Sequence, residues 1–295
     1  MKYLSQVILI ILVLATQFGS AQQDPQFSFY RFNMSLLNPA FAGTNEGGEL
    51  TLGLRSQWAG VEGAPESQSA IFSMPFGDKV GLGVSILNDQ TFIENQTWLA
   101  VDFSYKLKLN DDYNLYFGVK ASGNSYNVNT TGLLTYGVGQ DGSLMDFNSR
   151  FTPNVGIGFY LRNNNHFISL SAPKLLTPDR LQEANGNAFM SIDKRHLYLA
   201  GGYDFILSRE LTLETSSIFR YVEASPVSVD ITSILDFGSR FKFGASYRVD
   251  AAISGLFLMD VSSSFNIGYA YEAAVQNSVN AVSNNSHEVF MRLNL

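Results

Sequence analysis

Any chemistry in this chain has to come from histidines, serines or charged side chains, because cysteine is absent. His166, His196 and His287 stand far apart in the sequence, and only His287 has a carboxylate beside it, at Glu288. A closed metal site needs several such ligands brought to one point, so no metal site is expected. Serines are abundant, yet none lies in a nucleophile motif with a histidine to activate it. Neither a phosphate loop nor a dinucleotide fingerprint occurs. No catalytic residue, metal or cofactor is assigned, and the chain reads as non-enzymatic.

The charged residues are informative through their positions. In "WLAVDFSYKLKL" (98–109), Asp102, Lys106 and Lys108 share one parity, while Leu99, Val101, Phe103, Tyr105 and Leu107 hold the other. A period of two is the signature of a strand, whose successive side chains leave opposite faces. The rhythm recurs in "ELTLGLRSQW" (49–58), "KVGLGVSIL" (79–87), "YNLYFGVKAS" (113–122) and "FTPNVGIGFYLR" (151–162). It continues at 196–206, 210–221, 227–237, 240–248 and 264–272, with weaker segments at 66–74, 165–173, 251–259 and 286–295. About fourteen strands result, an even number as single-chain outer-membrane barrels require. Links of two to four residues with turn chemistry, such as "NDD" (110–112), join neighbours as antiparallel hairpins.

Which solvent the apolar faces meet follows from composition. Charged residues make up only 15% of the chain, with 23 Phe and 14 Tyr, whereas soluble domains average about 25% charged. Met1-Lys2, the apolar run Val7–Ala15, and Gly19 and Ala21 ahead of Gln22 have the pattern expected of a signal peptide over 1–21. That run is short of the roughly 20 residues of a membrane-spanning helix. Net charge is −7 with no basic block, which argues against nucleic acid as a partner. The expected fold is all-β: a transmembrane antiparallel barrel over 49–295, with lipid outside, preferred to a soluble sandwich. Arg55, Asp102, Lys106, Lys120, Glu214, Arg220, Asp230, Lys242, Arg248 and Arg292 then point into the lumen, pairing across it because both signs occur.

Three segments break the rhythm: 22–48, 125–150 and 174–192, the last with a short helix expected around 178–184. In the first, Phe27, Phe29, Tyr30, Phe32, Leu36, Leu37 and Phe41 are too apolar to share open water, and Asn38-Pro39 marks a turn. This segment is expected to plug the barrel mouth or cover its periplasmic end, rather than simply precede the first strand. Trp58, Trp98, Tyr113, Tyr203 and Tyr221 lie near strand ends and suit an interfacial aromatic belt. "HEVFMRLNL" (287–295) is expected to close the barrel.

The opening "QDPQFSFYRFNMSLLNPAFAG" (23–43) resembles that of the PorP/SprF family of Bacteroidetes outer-membrane proteins. The similarity continues through "LRSQWAGVEGAPESQSAIFSMPF" (54–76), "GLGVSILND" (81–89), "ISLSAPKLL" (168–176), "RHLYLAGGYDF" (195–205), "SPVSVDI" (225–231), "FGASYR" (243–248) and "SHEVFM" (286–291). Phe29, Arg31 and Leu37 depart from the more polar residues usual there. The resemblance implies an outer-membrane component of the type IX secretion system, which exports adhesins, including those of gliding motility. Implied partners are the translocon, periplasmic ring proteins, secreted cargo and outer-membrane lipid. The alternative is a plugged transport channel for hydrophobic small molecules.

Overall fold

The computed structural model describes residues 25–130, 147–148, 151–177, 179–184, 187–192, 194–223, 225–238, 240–275 and 285–295. The expected signal peptide and residues 22–24 lie outside them. Three single helical turns come first, at Tyr30–Phe32, Met34–Leu37 and Pro39–Phe41. Strands follow: β1 (Glu49–Ser56), β2 (Glu66–Phe76), β3 (Val80–Thr91), β4 (Glu94–Lys108), β5 (Asn114–Val128), β6 (Phe147–Asn148), β7 (Thr152–Arg162), β8 (His166–Ala172), β9 (Asp179–Ala184), β10 (Asn187–Ile192), β11 (His196–Ile206), β12 (Thr212–Val222), β13 (Ser228–Asp236), β14 (Phe241–Arg248), β15 (Ala252–Asp260), β16 (Phe265–Ala274) and β17 (Ser286–Asn294).

Fourteen of these close a barrel, each antiparallel to its neighbours. β1 pairs with β17 in the register Glu49↔Asn294, which leaves the wall without a free edge. Closure is the condition for strands in lipid, where an unpaired backbone group finds no water. The two-residue β6 extends the pairing of β5, and β9 with β10 forms a separate hairpin. Of the short helix expected around 178–184, the described residues 179–184 are instead a strand: a cross-strand partner at 187–192 outweighs a weak local helical signal. The connection expected from 125 starts later, because β5 runs to Val128.

Alternation decides what each face touches. Along β4, Leu99, Val101, Phe103, Tyr105 and Leu107 are exposed on the outside, while Asp102 and Ser104 are each only 1% exposed. In water such an outer face would be untenable; against acyl chains it is the favoured surface. Aromatics gather near both rims. Phe205, Phe237, Phe241 and Phe243 lie toward one end, and Tyr221, Tyr247 and Tyr271 toward the other, all exposed. Tyr203 and Tyr221 face outward, and Trp58 is exposed in the connection after β1. Trp98 does not join this belt: it shares the inward parity of Ala100 and Asp102, opposite Leu87 of β3 and Asn124 of β5. Its strand-end position suggested an interface, but parity sets its direction.

The two ends differ. One carries only short turns, such as 77–79, 109–113, 163–165, 207–211 and 261–264, together with the start of β1 and the carboxyl end. There Asn110 and Asn163 side chains accept backbone N–H groups of the residues that follow, closing Asx turns. The longer connections cluster at the other end. By the usual asymmetry of such barrels, short turns face the periplasm and long loops the outside.

Candidate functional site: a plug threaded through the lumen

The expected plug residues sit inside the cylinder. Phe27, Phe29, Tyr30, Asn38 and Pro39 are buried, and Phe32, Leu37 and Phe41 are partly so. The segment starts high: Gln26 accepts a hydrogen bond from Ser228 Oγ at 3.4 Å, on the long-loop half of β13. It leaves low, where Asn45 donates to Glu49 Oε2 at 2.6 Å beside the start of β1. The chain thus runs from the outer half of the lumen down to the periplasmic rim before it joins the wall.

Its upper part is held by charge. Glu288 takes the backbone N–H of Ser28 at 2.7 Å on one oxygen and that of Phe29 at 3.1 Å on the other. Arg55 bridges Glu288 at 3.4 Å and Glu272 at 2.5 Å. From Glu272 the alternation continues through Arg248 (3.5 Å) to Asp230, reached by Arg248 at 3.1 Å and by Arg220 at 2.8 Å. Buried charges are stable only when paired and hydrogen-bonded in this way. Ser28 Oγ also lies 3.2 Å from Ser254 Oγ. Tyr30 is hydrogen-bonded to Ser216 at 2.9 Å. Burial pushes its hydroxyl pKa up, and the Ser216 hydrogen bond offsets part of that shift.

Lower in the lumen a second group takes over. Arg31 meets Asp204 at 2.6 Å, and Lys242 joins Glu214 (2.8 Å) to Asp236 (2.6 Å). Arg292 donates to the Phe32 carbonyl at 2.7 Å. Across the barrel, Lys120 pairs with Asp102 at 2.9 Å and donates to the Ser35 carbonyl at 3.1 Å. Of the charges read as lumen-facing, Lys106 is half-buried at the lower end; the others belong to these groups.

The last part of the plug is held by closeness instead. Asn38 donates to the Phe159 carbonyl at 3.0 Å and accepts from Ala40 N at 2.9 Å, fixing the turn before Pro39. Ser171 donates to the Leu37 carbonyl at 2.8 Å, and Ser104 to that of Ala42 at 2.6 Å. A Cβ at Gly118 would overlap the backbone of Ala40, and one at Gly81 the carbonyl of Ala42. The wall lies this near because both positions lack side chains. Phe41 stacks on Tyr160 with ring centroids 3.9 Å apart.

The sequence reading named no partner for several of these residues: Glu272, Glu288, Asp204, Asp236, Ser28, Ser104, Gly81 and Gly118. Parity held the signal for the carboxylates, since Tyr271 and Val289 belong to the outward sets of their strands. The three histidines each contact a tyrosine: His166 with Tyr113, His196 with Tyr198, and His287 with Tyr269.

A closed fourteen-stranded barrel with lipid-type outer faces, belted rims and an internal plug defines an outer-membrane β-barrel protein. The sequence profile of the family described as type IX secretion system membrane protein PorP/SprF matches residues 19–293, and the chain belongs to that family. No curated protein matches it by sequence. Among solved structures, a monoaromatic hydrocarbon channel, CymD, superposes with a TM-score of 0.55 at 12% identity, over 94% of this chain and 95% of that one. The Ralstonia pickettii toluene transporter TbuX gives 0.50 at 14% identity, over 88% and 92%. At such identities these likenesses establish the fold alone.

Proposed function

We propose that this type IX secretion barrel acts as a plugged scaffold, supporting export or surface attachment of secreted cargo such as gliding adhesins. Its contacts would be with cargo at the outer end and with translocon or ring proteins at the periplasmic end. The observation that carries this reading is the plug, bonded to the wall on all sides from Gln26 to Gly43. A lumen filled by the chain's own segment suits a platform better than a passage for a folded or extended cargo. Removing residues 1–21 as a signal peptide would deliver the chain to the periplasm and leave the plug to dock as the barrel forms.

Deleting the gene in the producing bacterium tests this. Type IX cargo is expected to disappear from the surface and accumulate inside. Full surface display of all cargo, together with failed uptake of a small hydrophobic compound, would replace this reading with the second one. That second reading, a channel for hydrophobic solutes, draws on an apolar chamber above the plug and on the fold shared with CymD and TbuX.

A further inference from the structure

Between the upper face of the plug and the outer half of the wall lies a cavity of about 80 Å³. A single water needs roughly 10–15 Å³, so the space suits one ring and a few attached atoms. Leu36 and Leu37 of the plug and Leu87, Tyr198 and Val222 of the wall give it an apolar lining.

Its polar lining includes buried donors without acceptors. Asn33, Trp98 and Arg220 line it, and Asn33 Nδ2 and Oδ1, Trp98 Nε1 and Arg220 Nη2 are buried with no hydrogen-bond partner. Asn33 is 2% exposed and Arg220 is 5% exposed, so bulk water does not serve them. Arg220 spends its other terminal nitrogen on Asp230. The Lys174 ammonium lies 4.8 Å from the centroid of the Trp98 ring. Among the described residues, no Asp or Glu lines the cavity.

Buried donors without acceptors are costly, and an acceptor that enters the space relieves those it reaches. Apolar walls call for a hydrocarbon body, and the unpaired donors, one of them on a guanidinium, for an anionic head. We propose that this outer chamber is a binding site for a small molecule joining a single apolar ring to a carboxylate, the aryl carboxylate class. The site goes beyond the secretion role and does not rest on it. Cargo display and ligand binding are separate readouts, and either can fail alone.

Trp58 and Trp98 are the chain's two tryptophans, so Trp58→Phe leaves Trp98 as the sole indole reporter. Purified barrel in detergent micelles would be titrated with benzoate, with toluene (the ring alone) and with acetate (the head alone). Benzoate is expected to change Trp98 emission saturably, and to bind about tenfold more tightly than either fragment. Asn33→Ala should weaken benzoate about tenfold, as loss of one hydrogen bond to a charged group does, while leaving toluene unchanged. Calorimetry on Trp98→Phe, which keeps a ring but removes the donor, makes the same comparison should Asn33→Ala not fold. No saturable response to benzoate, or toluene binding as tightly as benzoate, overturns the proposal. Acetate binding as tightly as benzoate also overturns it, since it would mark a bare anion site.

Discussion

The two halves of the plug are held by different physics. Residues 26–32 are fixed by carboxylates and guanidiniums that reach in from the wall, above all Glu288 on the Ser28 and Phe29 amides. Residues 38–43 are fixed by fit, with Ala40 and Ala42 lying against Gly118 and Gly81 and few charges involved. Side-chain charge acts across several ångströms and tolerates small displacement, whereas backbone against glycine tolerates almost none. The upper half is thus the one that a change of charge would release, and the lower half the one that only a change of shape would.

Glu288→Ala should have the largest effect. It leaves two plug amides without their acceptor and Arg55 short of one partner, a loss on the order of 3–5 kcal/mol for a broken buried pair. Denaturation of the micelle-bound barrel would read the loss. Limited proteolysis should show residues 26–32 becoming cleavable while 38–43 stay protected. Gly118→Ala comes next. Its Cβ meets the Ala40 backbone rather than a flexible side chain, and overpacking of this kind costs about 1–3 kcal/mol. The proteolysis pattern should reverse, with the lower half released first. Ser104→Ala removes a single hydrogen bond to the Ala42 carbonyl and should cost about 1 kcal/mol, a small shift in the same unfolding curve with both halves still protected. Identical proteolysis patterns for Glu288→Ala and Gly118→Ala would mean that the plug moves as one body and the contrast is false.

Much of this was legible in the sequence because a barrel wall repeats one rule. Once Phe103 is outward, Asp102 and Ser104 must be inward, and the same step along fourteen strands gives the lipid face and the charged lining. The aromatics of 27–41 stood out because they belonged to no strand. What could not be read was which wall residue meets which plug residue, since that depends on the register of every intervening strand. Ser28 and Ser254 are neighbours through the closed sheet, not through any local pattern. Glu272 and Glu288 were visible by parity, yet their role rests on Arg55 arriving from β1, more than two hundred residues away. Trp98 was misplaced for a related reason: a tryptophan at a strand end suits an interface, but an apolar chamber inside the barrel suits it as well. The segment around 178–184 carried weak helical character, and the pairing of 179–184 with 187–192 decided otherwise.

The threaded plug can be tested directly, because the chain has no cysteine of its own. Ser28 Oγ and Ser254 Oγ are 3.2 Å apart, so the double variant Ser28→Cys/Ser254→Cys places two thiols within bonding reach. Expressed from the full-length gene and oxidised in the membrane, it should form an intramolecular disulfide, seen as a mobility shift of the heat-denatured chain that reductant removes. Ser28→Cys/Ser104→Cys, on opposite sides of the lumen and at different heights, should not form one. Efficient closure of the first pair alone is the expected result. Failure of Ser28→Cys/Ser254→Cys to close in a folded, membrane-inserted barrel would contradict a segment that runs inside it.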